Sequence, residues 1–499
     1  MNYATQLYYQ LPLLAVIIGG LVLLLLESFA QAGGRRWLMH AALLSSAASL
    51  FATWLVWRRV ALFGAVTLYG GMLYVDKFAL FLCVIFIAAT VLVTLISADF
   101  FRVHAVLYGE LYALLHFATA GMMILAMAGD LVTVFLGIET MSLGAYVMTG
   151  AFRRQKRPSE AAMKYFLTGA FATAILVYAI ALIYGATGAT SLAEIRRATG
   201  AHTQPIFVIG EMMLIVALGF KVSAVPFHMW APDAYEGAPT PVTAYMAAAV
   251  KAAGIAGIMR VFLGGFGGQV LPYGQLGWAT VLSILAVLSM TWGNVAALRQ
   301  ENVKRLLAYS SIAHAGYLLL GLVAAGISGD AAAVPRAALL YYLLAYTFTT
   351  LGSFAVVAWV GRHGDEHQNL DDWAGLATRH PAVALAMTIF LLSLGGIPPT
   401  GGFFGKFYVF RAAMEPDGQL IWLVVAAVLN SVISVFYYLR IIMAMYFREA
   451  TREATTSESR AMAVAIGVCA VVVLVMGVIP ESWLDFASAA TMLPFAARP

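Results

Sequence analysis

Four lysines, Lys164, Lys221, Lys251 and Lys406, lie inside stretches that are otherwise apolar enough to span a lipid bilayer. A charged lysine at the centre of such a helix costs roughly 2.5–3.5 kcal/mol on insertion scales, so four in one chain require partners, internal water or loss of the proton. The chemistry they point to is carriage of an ion or a proton. Glu139, in Phe135-Leu136-Gly137-Ile138-Glu139-Thr140, falls near the middle of its apolar run and is the natural carboxylate partner of a lysine. A carboxylate a few ångströms away favours the ammonium, whereas burial favours the neutral amine, so such a pair can load and release a proton as its geometry shifts. Lys251 is central in Ala248-Ala249-Val250-Lys251-Ala252-Ala253-Gly254, where small neighbours leave room for water or for a closely packed helix. His314 stands beside Ser310 and Ser311, and an imidazole there can exchange protons near neutral pH. Groups of these types on several helices would form a relay across the middle of the protein.

Plainer roles compete with this reading. Any single membrane lysine can snorkel to the interface or lock a helix pair. Lys164, four residues into its apolar run, suits a structural role as well as a relay role, and so does His314. Lys221, Lys251 and Lys406 lie deeper, and two of them flank helix breaks. Glu27, Asp76, Glu110 and Glu211 fall near helix ends and read as interfacial. Phe403-Phe404 and Phe407-Tyr408 read as packing or interface anchors. Cys83 and Cys469 sit in apolar runs outside any CxxC pair, which argues against a disulfide framework, an iron–sulfur cluster or a zinc site. Gly264-Gly265-Phe266-Gly267-Gly268 follows a helix with no strand before it and reads as a loop, not a nucleotide cradle.

The elements that position these groups follow from the composition. Of 499 residues 62% are hydrophobic and only 11% charged, with mean hydropathy +0.87. Soluble domains carry about 25% charged residues, so this is a polytopic membrane protein, and its net charge of +5 reflects topology, not nucleic-acid binding. Apolar runs predict helices over 8–27, 37–57, 74–97, 108–128, 131–151, 161–185, 204–225, 240–263, 272–297, 304–327, 337–360, 381–413, 418–446 and 462–482. The first run has no basic segment before it and no small-residue cleavage pattern, so it reads as a retained helix. Sixteen lysines and arginines, among them Arg35, Arg36, Arg153, Arg154, Lys304, Arg305, Arg440 and Arg452, fall in loops after odd-numbered helices. Nine, among them Arg58, Arg59, Arg260 and Arg498, fall on the opposite side, so both termini are placed on the non-cytoplasmic face.

Two helices are interrupted. The seventh runs into Pro226, His228, Pro232 and Pro239, and the twelfth is broken at Gly395-Gly396-Ile397-Pro398-Pro399-Thr400-Gly401-Gly402. Proline removes a backbone donor and glycine eases unwinding, so both helices should be discontinuous. Matching breaks in two halves are the sequence sign of an inverted repeat. The fold expected is an all-α polytopic membrane protein of about fourteen transmembrane helices, with two inverted five-helix repeats (helices four to eight and nine to thirteen), each containing a broken helix (seven and twelve). The corresponding segments are an N-terminal three-helix segment 1–107, repeats at 108–264 and 272–446, and a C-terminal helix and tail at 447–499. Lys221 stands five residues before the first break and Lys406 four residues after the second, each beside freed backbone carbonyls.

The tract from Gly219-Phe220-Lys221 through Pro226-Phe227-His228-Met229-Trp230-Ala231-Pro232 to Glu236-Gly237-Ala238-Pro239-Thr240-Pro241 resembles the seventh-helix signature of the antiporter-like membrane subunits of proton-translocating NADH–quinone oxidoreductase, respiratory complex I. Asn302-Val303-Lys304-Arg305-Leu306-Leu307-Ala308-Tyr309-Ser310-Ser311-Ile312 and Gly401-Gly402-Phe403-Phe404-Gly405-Lys406-Phe407-Tyr408 resemble its later signatures, and the likeness spans nearly the whole chain. Ala238, Lys406 and the short stretch after the fourteenth helix separate the chain from the L and M branches and from the similar Mrp-type antiporter subunits. The resemblance implies that Glu139 and Lys221 form a modulating pair, that Lys251 is the central relay, that Lys406 exchanges protons at the end of the path, and that His314 assists. It also has a lysine matching Lys164.

It implies further a bacterial inner-membrane location, and as partners the other membrane subunits of complex I, including subunits M and L, small subunits such as K, and lipids. It implies no cofactor in this chain, with NADH, FMN, iron–sulfur clusters and quinone in partner subunits. Two other classes stay open: an Mrp-type cation/proton antiporter subunit, and a structural membrane subunit that pumps nothing. The first predicts sodium-dependent flux in the isolated protein, and the second predicts that losing Lys221 or Lys406 leaves pumping intact.

Overall fold

The computed structural model describes residues 3–29, 36–103, 109–152, 156–198, 204–266, 273–275, 277–362, 365–366, 368–415, 418–449 and 459–493. Arg35, Arg153, Arg154, Arg452 and Arg498 of the orientation argument lie outside the described residues, as do Gly267 and Gly268 and most of the polar stretch 447–460.

A backbone in hydrocarbon must satisfy its own hydrogen bonds, so each apolar run becomes a helix. Among the described residues twelve continuous helices are long and apolar enough to cross a membrane. In chain order the first six are Tyr3–Phe29, Arg36–Phe63, Lys77–Val103, Gly109–Met127, Leu131–Thr149 and Lys156–Thr187. The eighth to eleventh are Thr240–Gly265, Trp278–Leu298, Val303–Ile327 and Ala333–Trp359. Ile421–Phe447 and Arg460–Val478 are the thirteenth and fourteenth. The seventh and twelfth are the two expected broken helices. The seventh runs Pro205–Lys221 and resumes at Trp230–Gly237, and the twelfth runs Pro381–Gly395 and resumes at Gly401–Met414. Side-chain caps mark several starts: Asp130 accepts from the Val132 amide at 2.7 Å, Asn302 from Arg305 at 3.0 Å, and Ser459 from Met462 at 3.2 Å. Short elements that the apolar pattern does not signal also occur. They are helices Leu192–Ala198 and Pro480–Ser488, and antiparallel hairpins pairing Val66–Leu68 with Leu73–Val75 and Gly361–Arg362 with Asp365–Glu366.

Burial is unequal around the bundle. The eighth, tenth and eleventh helices are enclosed nearly all round, while the first, second, sixth, thirteenth and fourteenth leave broad apolar faces outward. A helix that is apolar on every side belongs in the interior, and the enclosed three carry Lys251, His314 and the neighbouring Tyr317, Tyr342 and Tyr346. The eighth helix is also irregular, with π-helical segments at Met246–Val250 and Met259–Gly265 on either side of a regular stretch that begins at Lys251. Such bulges widen the helix and re-aim its side chains, frequently at functional positions.

Arg260 and Asp76 are not loop or interfacial groups. Both are fully buried, and the guanidinium clasps the carboxylate with two bonds of 2.7 and 2.6 Å. Arg260 also donates to the Ala126 carbonyl at 2.7 Å, and Asp76 accepts from the Ala79 and Leu493 amides at 2.9 Å. The clasp joins the third, fourth and eighth helices to the C-terminal segment, with every lone pair occupied inside the protein. Lys304 and Arg440 likewise turn inward from the loops. Lys304 is buried and donates to the Ala238 carbonyl at 2.6 Å, and Arg440 donates to the carbonyls of Leu298, at 2.8 Å, and Gln300 at the end of the ninth helix.

A buried line of lysines and hydroxyls

Lys221 is the last residue of the first half of the seventh helix, and its side chain is buried. The helix stops there because Ser223 takes a left-handed φ of 59° and Pro226 follows. The indole of Trp230, at the start of the second half, donates to the Phe220 carbonyl at 3.1 Å and stacks on Tyr165 at 4.3 Å, which fixes the two halves across the gap. Lys221 Nζ donates to Ser142 Oγ at 2.7 Å and to the Tyr146 hydroxyl at 3.2 Å, both on the fifth helix.

Glu139 is on that same helix, three residues before Ser142, so the two lie on one face. Its carboxylate is half-buried and accepts from Thr173 Oγ1 at 2.5 Å. The geometry thus differs from a direct Glu139–Lys221 ion pair: Ser142 stands beside the ammonium, and Glu139 turns to the sixth helix. Ser142 in turn donates its hydroxyl proton to the Ile138 carbonyl one turn earlier on the fifth helix.

Lys251 follows on the eighth helix. Gly254, three residues later, brings this helix against the seventh so closely that a Cβ there would meet Val222 Cγ1 at 2.8 Å and Lys221 Cβ at 3.6 Å. Lys251 Nζ donates to the carbonyl and the hydroxyl of Ser311 on the tenth helix. The Tyr346 hydroxyl donates to the same Ser311 Oγ at 2.9 Å. One turn along the tenth helix is His314, buried, with Nδ1 2.5 Å from the Tyr342 hydroxyl and Nε2 3.2 Å from the Tyr438 hydroxyl. Tyr438 in turn shares a 2.5 Å hydrogen bond with Ser310.

Lys406 closes the line in the second half of the twelfth helix. Its Nζ reaches back across the break to the carbonyls of Leu394 at 2.8 Å and Gly395 at 3.3 Å, and to Ser431 Oγ at 2.9 Å. Those carbonyls are free because Gly396 ends the helix at φ 78°, and a Cβ at Gly396 would meet Lys406 Cδ at 2.9 Å. The ammonium also lies 4.8 Å from the ring centre of Tyr317, three residues beyond His314. Tyr317 is linked through Asn294, at 3.5 Å, to the Tyr437 hydroxyl, which donates to Asn294 Oδ1 at 2.9 Å.

Lys164 stands apart from this line. It is about half exposed and bridges Glu160 at 2.7 Å and Asp233 at 2.9 Å. Arg305 binds the other oxygen of Asp233 and also Glu236, each at 2.8 Å, so these five groups form one charged network at the far side of the seventh-helix break. The residues that sequence reasoning missed are hydroxyls: Ser142, Tyr146, Tyr317, Tyr342, Tyr346, Ser431 and Tyr438. Their signal is spacing. Ser142 and Tyr146 follow Glu139 by three and seven residues, and Tyr342 and Tyr346 are one turn apart on a buried helix. Among the described residues no group of three or more His, Cys, Asp or Glu is arranged to hold a metal ion.

Residues 128–434 match the family described as NADH:quinone oxidoreductase/Mrp antiporter, transmembrane. The chain is 45% identical to NADH-quinone oxidoreductase subunit N 1 of Sorangium cellulosum over 96% of its own length and 97% of the relative's. It is 42% identical to subunit N of Trichlorobacter lovleyi over 97% and 96% of the two chains. Among solved structures, a chain of respiratory complex I from Thermus thermophilus with bound aureothin superposes with a TM-score of 0.78 at 32% identity, covering 96% of this chain and 99% of that one. The relatives decide between the two branches that the family description joins, and this chain, a membrane-spanning subunit that sits with other membrane subunits of respiratory complex I, belongs to the subunit N family of NADH–quinone oxidoreductase.

Proposed function

We propose that protons pass through this subunit along the buried line, with Glu139 and Lys221 as the modulating pair, Lys251 as the central relay, His314 assisting and Lys406 exchanging at the end, while Lys164 acts from the surface network. One observation carries the reading. Lys221, Lys251 and Lys406 are buried on hydroxyls and carbonyls, whereas the carboxylate ion pairs among the described residues fall on other cations. A hydroxyl or carbonyl acceptor leaves a lysine free to give up its proton, because neither carries a charge that must then be balanced. Hydroxyls of Ser, Tyr and the imidazole of His314 are donors and acceptors at once, so a proton can move along them without an ion crossing hydrocarbon.

In this proposal redox chemistry stays in partner subunits, with NADH, FMN, iron–sulfur clusters and quinone bound there. Quinone reduction shifts the electrostatics of the line by linkage. Subunits M, L and K and bounding lipids are the proposed neighbours, the bacterial inner membrane the location, and the non-cytoplasmic side the place of both termini. The repeats at 108–264 and 272–446 would each supply one broken helix and the lysine beside its break, with 1–107 and 447–499 flanking them.

The test is Lys406→Met in the assembled complex, followed by NADH-driven proton pumping, with assembly checked on a native gel. If turnover and pumping fall together in a complex of normal abundance, a coupled path through Lys406 is supported. Wild-type pumping would make Lys406 structural. A requirement for sodium would move the subunit to cation antiport.

A further inference from the structure

Glu211 belongs to none of the arrangements above. It lies in the first half of the seventh helix, ten residues before Lys221 and six after the start at Pro205. At 1.5 Å per residue that is about 15 Å from Lys221 and about 9 Å from the helix start. Its side chain is 1% exposed, and among the described residues neither carboxyl oxygen has a hydrogen-bond partner. Its surroundings are apolar: Phe207, one turn earlier, packs on Phe266 at 5.3 Å, and Gly210 beside it abuts Ile183 and Leu182 of the sixth helix. An ionised carboxylate left there without a counter-charge would carry a desolvation penalty far above the stability of a protein, so a proton or water must accompany the group. Leucine would fill the position without that requirement.

Its position gives the requirement a direction. Along the seventh helix the charged network of Lys164, Asp233, Glu236 and Arg305 lies beyond the break, Lys221 lies at the break, and Glu211 lies on the opposite side, toward the surface where the helix begins. We propose that Glu211 is a proton-holding group between Lys221 and that surface, so that the first repeat has its own branch across the membrane in addition to the line that leads to Lys406. The proposal rests on the proton-path reading above. The step is a simple transfer: the carboxyl releases its proton to water at the Pro205 end, and the resulting carboxylate takes one from the Lys221 side.

The experiment compares Glu211→Gln, Glu211→Asp and Lys221→Met in the assembled complex. Two readouts are NADH-driven pumping per electron and the infrared C=O stretch of protonated carboxyls, with its shift in deuterated water. The expected result is one exchangeable carboxyl band missing in Glu211→Gln and retained, displaced, in Glu211→Asp. Pumping per electron is lowered in Glu211→Gln and at least half restored in Glu211→Asp, with assembly unchanged. An unchanged carboxyl spectrum, or normal pumping per electron in Glu211→Gln while Lys221→Met is defective, overturns the proposal and leaves the relay standing. Normal pumping in both Glu211→Gln and Lys221→Met overturns the proposal together with the relay.

Discussion

Two buried cationic regions within this chain handle charge in opposite ways. Arg260 is held by a two-bond carboxylate clasp with its Nε on the Ala126 carbonyl, and Asp76 also accepts from two backbone amides. Lys221, Lys251 and Lys406 rest instead on serines, a tyrosine and the loose carbonyls of a broken helix. Guanidinium does not deprotonate and its planar fork matches a carboxylate, so it suits a permanent joint. An amine on neutral acceptors can change state without stranding a counter-ion. On the proposed reading the chain separates charge that ties helices together from charge that moves, by side-chain type and by partner.

The largest break in this comparison is Asp76→Ala. It leaves the Arg260 guanidinium buried and unpaired, a loss of about 3–5 kcal/mol that should empty the native-gel band of assembled complex. Replacing both partners, Asp76→Leu with Arg260→Met, should return most of that band, since no buried charge is then left over. Failure of the double variant to recover would mean that the contacts to Ala126 and Leu493 matter more than the charges.

Lys251→Ala should behave in the opposite manner. Removal of a membrane lysine favours insertion by roughly 2.5–3.5 kcal/mol, so assembly is kept, while coupled turnover falls about tenfold, equivalent to about 1.4 kcal/mol on the barrier. Proton-to-electron ratios at the wild-type value in that variant would remove Lys251 from the relay.

A smaller effect is expected for Tyr438→Phe, which takes away the hydroxyl shared by His314 and Ser310. The stability change should be near 0.5–1.5 kcal/mol, read as a modest fall in the melting temperature of the solubilised complex, with slower turnover. Unaltered turnover would make the His314 cluster a packing feature. Glu139→Asp should be mildest, since it keeps the charge about one methylene short of Thr173, and turnover should exceed that of Glu139→Gln. Greater loss in Glu139→Asp than in Glu139→Gln, which keeps an acceptor oxygen at full reach, would show that the 2.5 Å contact to Thr173, not the charge, is what the fifth helix supplies.

The helices were legible in the sequence because a bilayer permits few backbone solutions, and long apolar runs leave no other choice. The two breaks were legible for the converse reason, since proline and glycine clusters withdraw the donors and constraints that keep a helix going. Even the depth of Lys221, Lys251 and Lys406 followed from counting residues along a run. Partnership did not. Whether a charged residue near a helix end faces water or folds inward depends on which neighbouring helix arrives beside it. Asp76 and Arg260, separated by more than 180 positions, looked like interfacial groups until the third and eighth helices met. Glu211 was misplaced for the same reason.

By itself, then, the amino-acid order determined where the chain crosses the membrane, where it breaks, and that Lys221, Lys251 and Lys406 lie at depth. Those are one-dimensional properties of hydropathy and backbone chemistry. The tertiary structure alone decided which hydroxyl each lysine uses, that Glu139 turns to Thr173, that Arg260 is locked, and that Glu211 meets no hydrogen-bond partner among the described residues. Hydrogen bonds and ion pairs act over about 3 Å, and only the packing of helices distant in sequence sets separations that small.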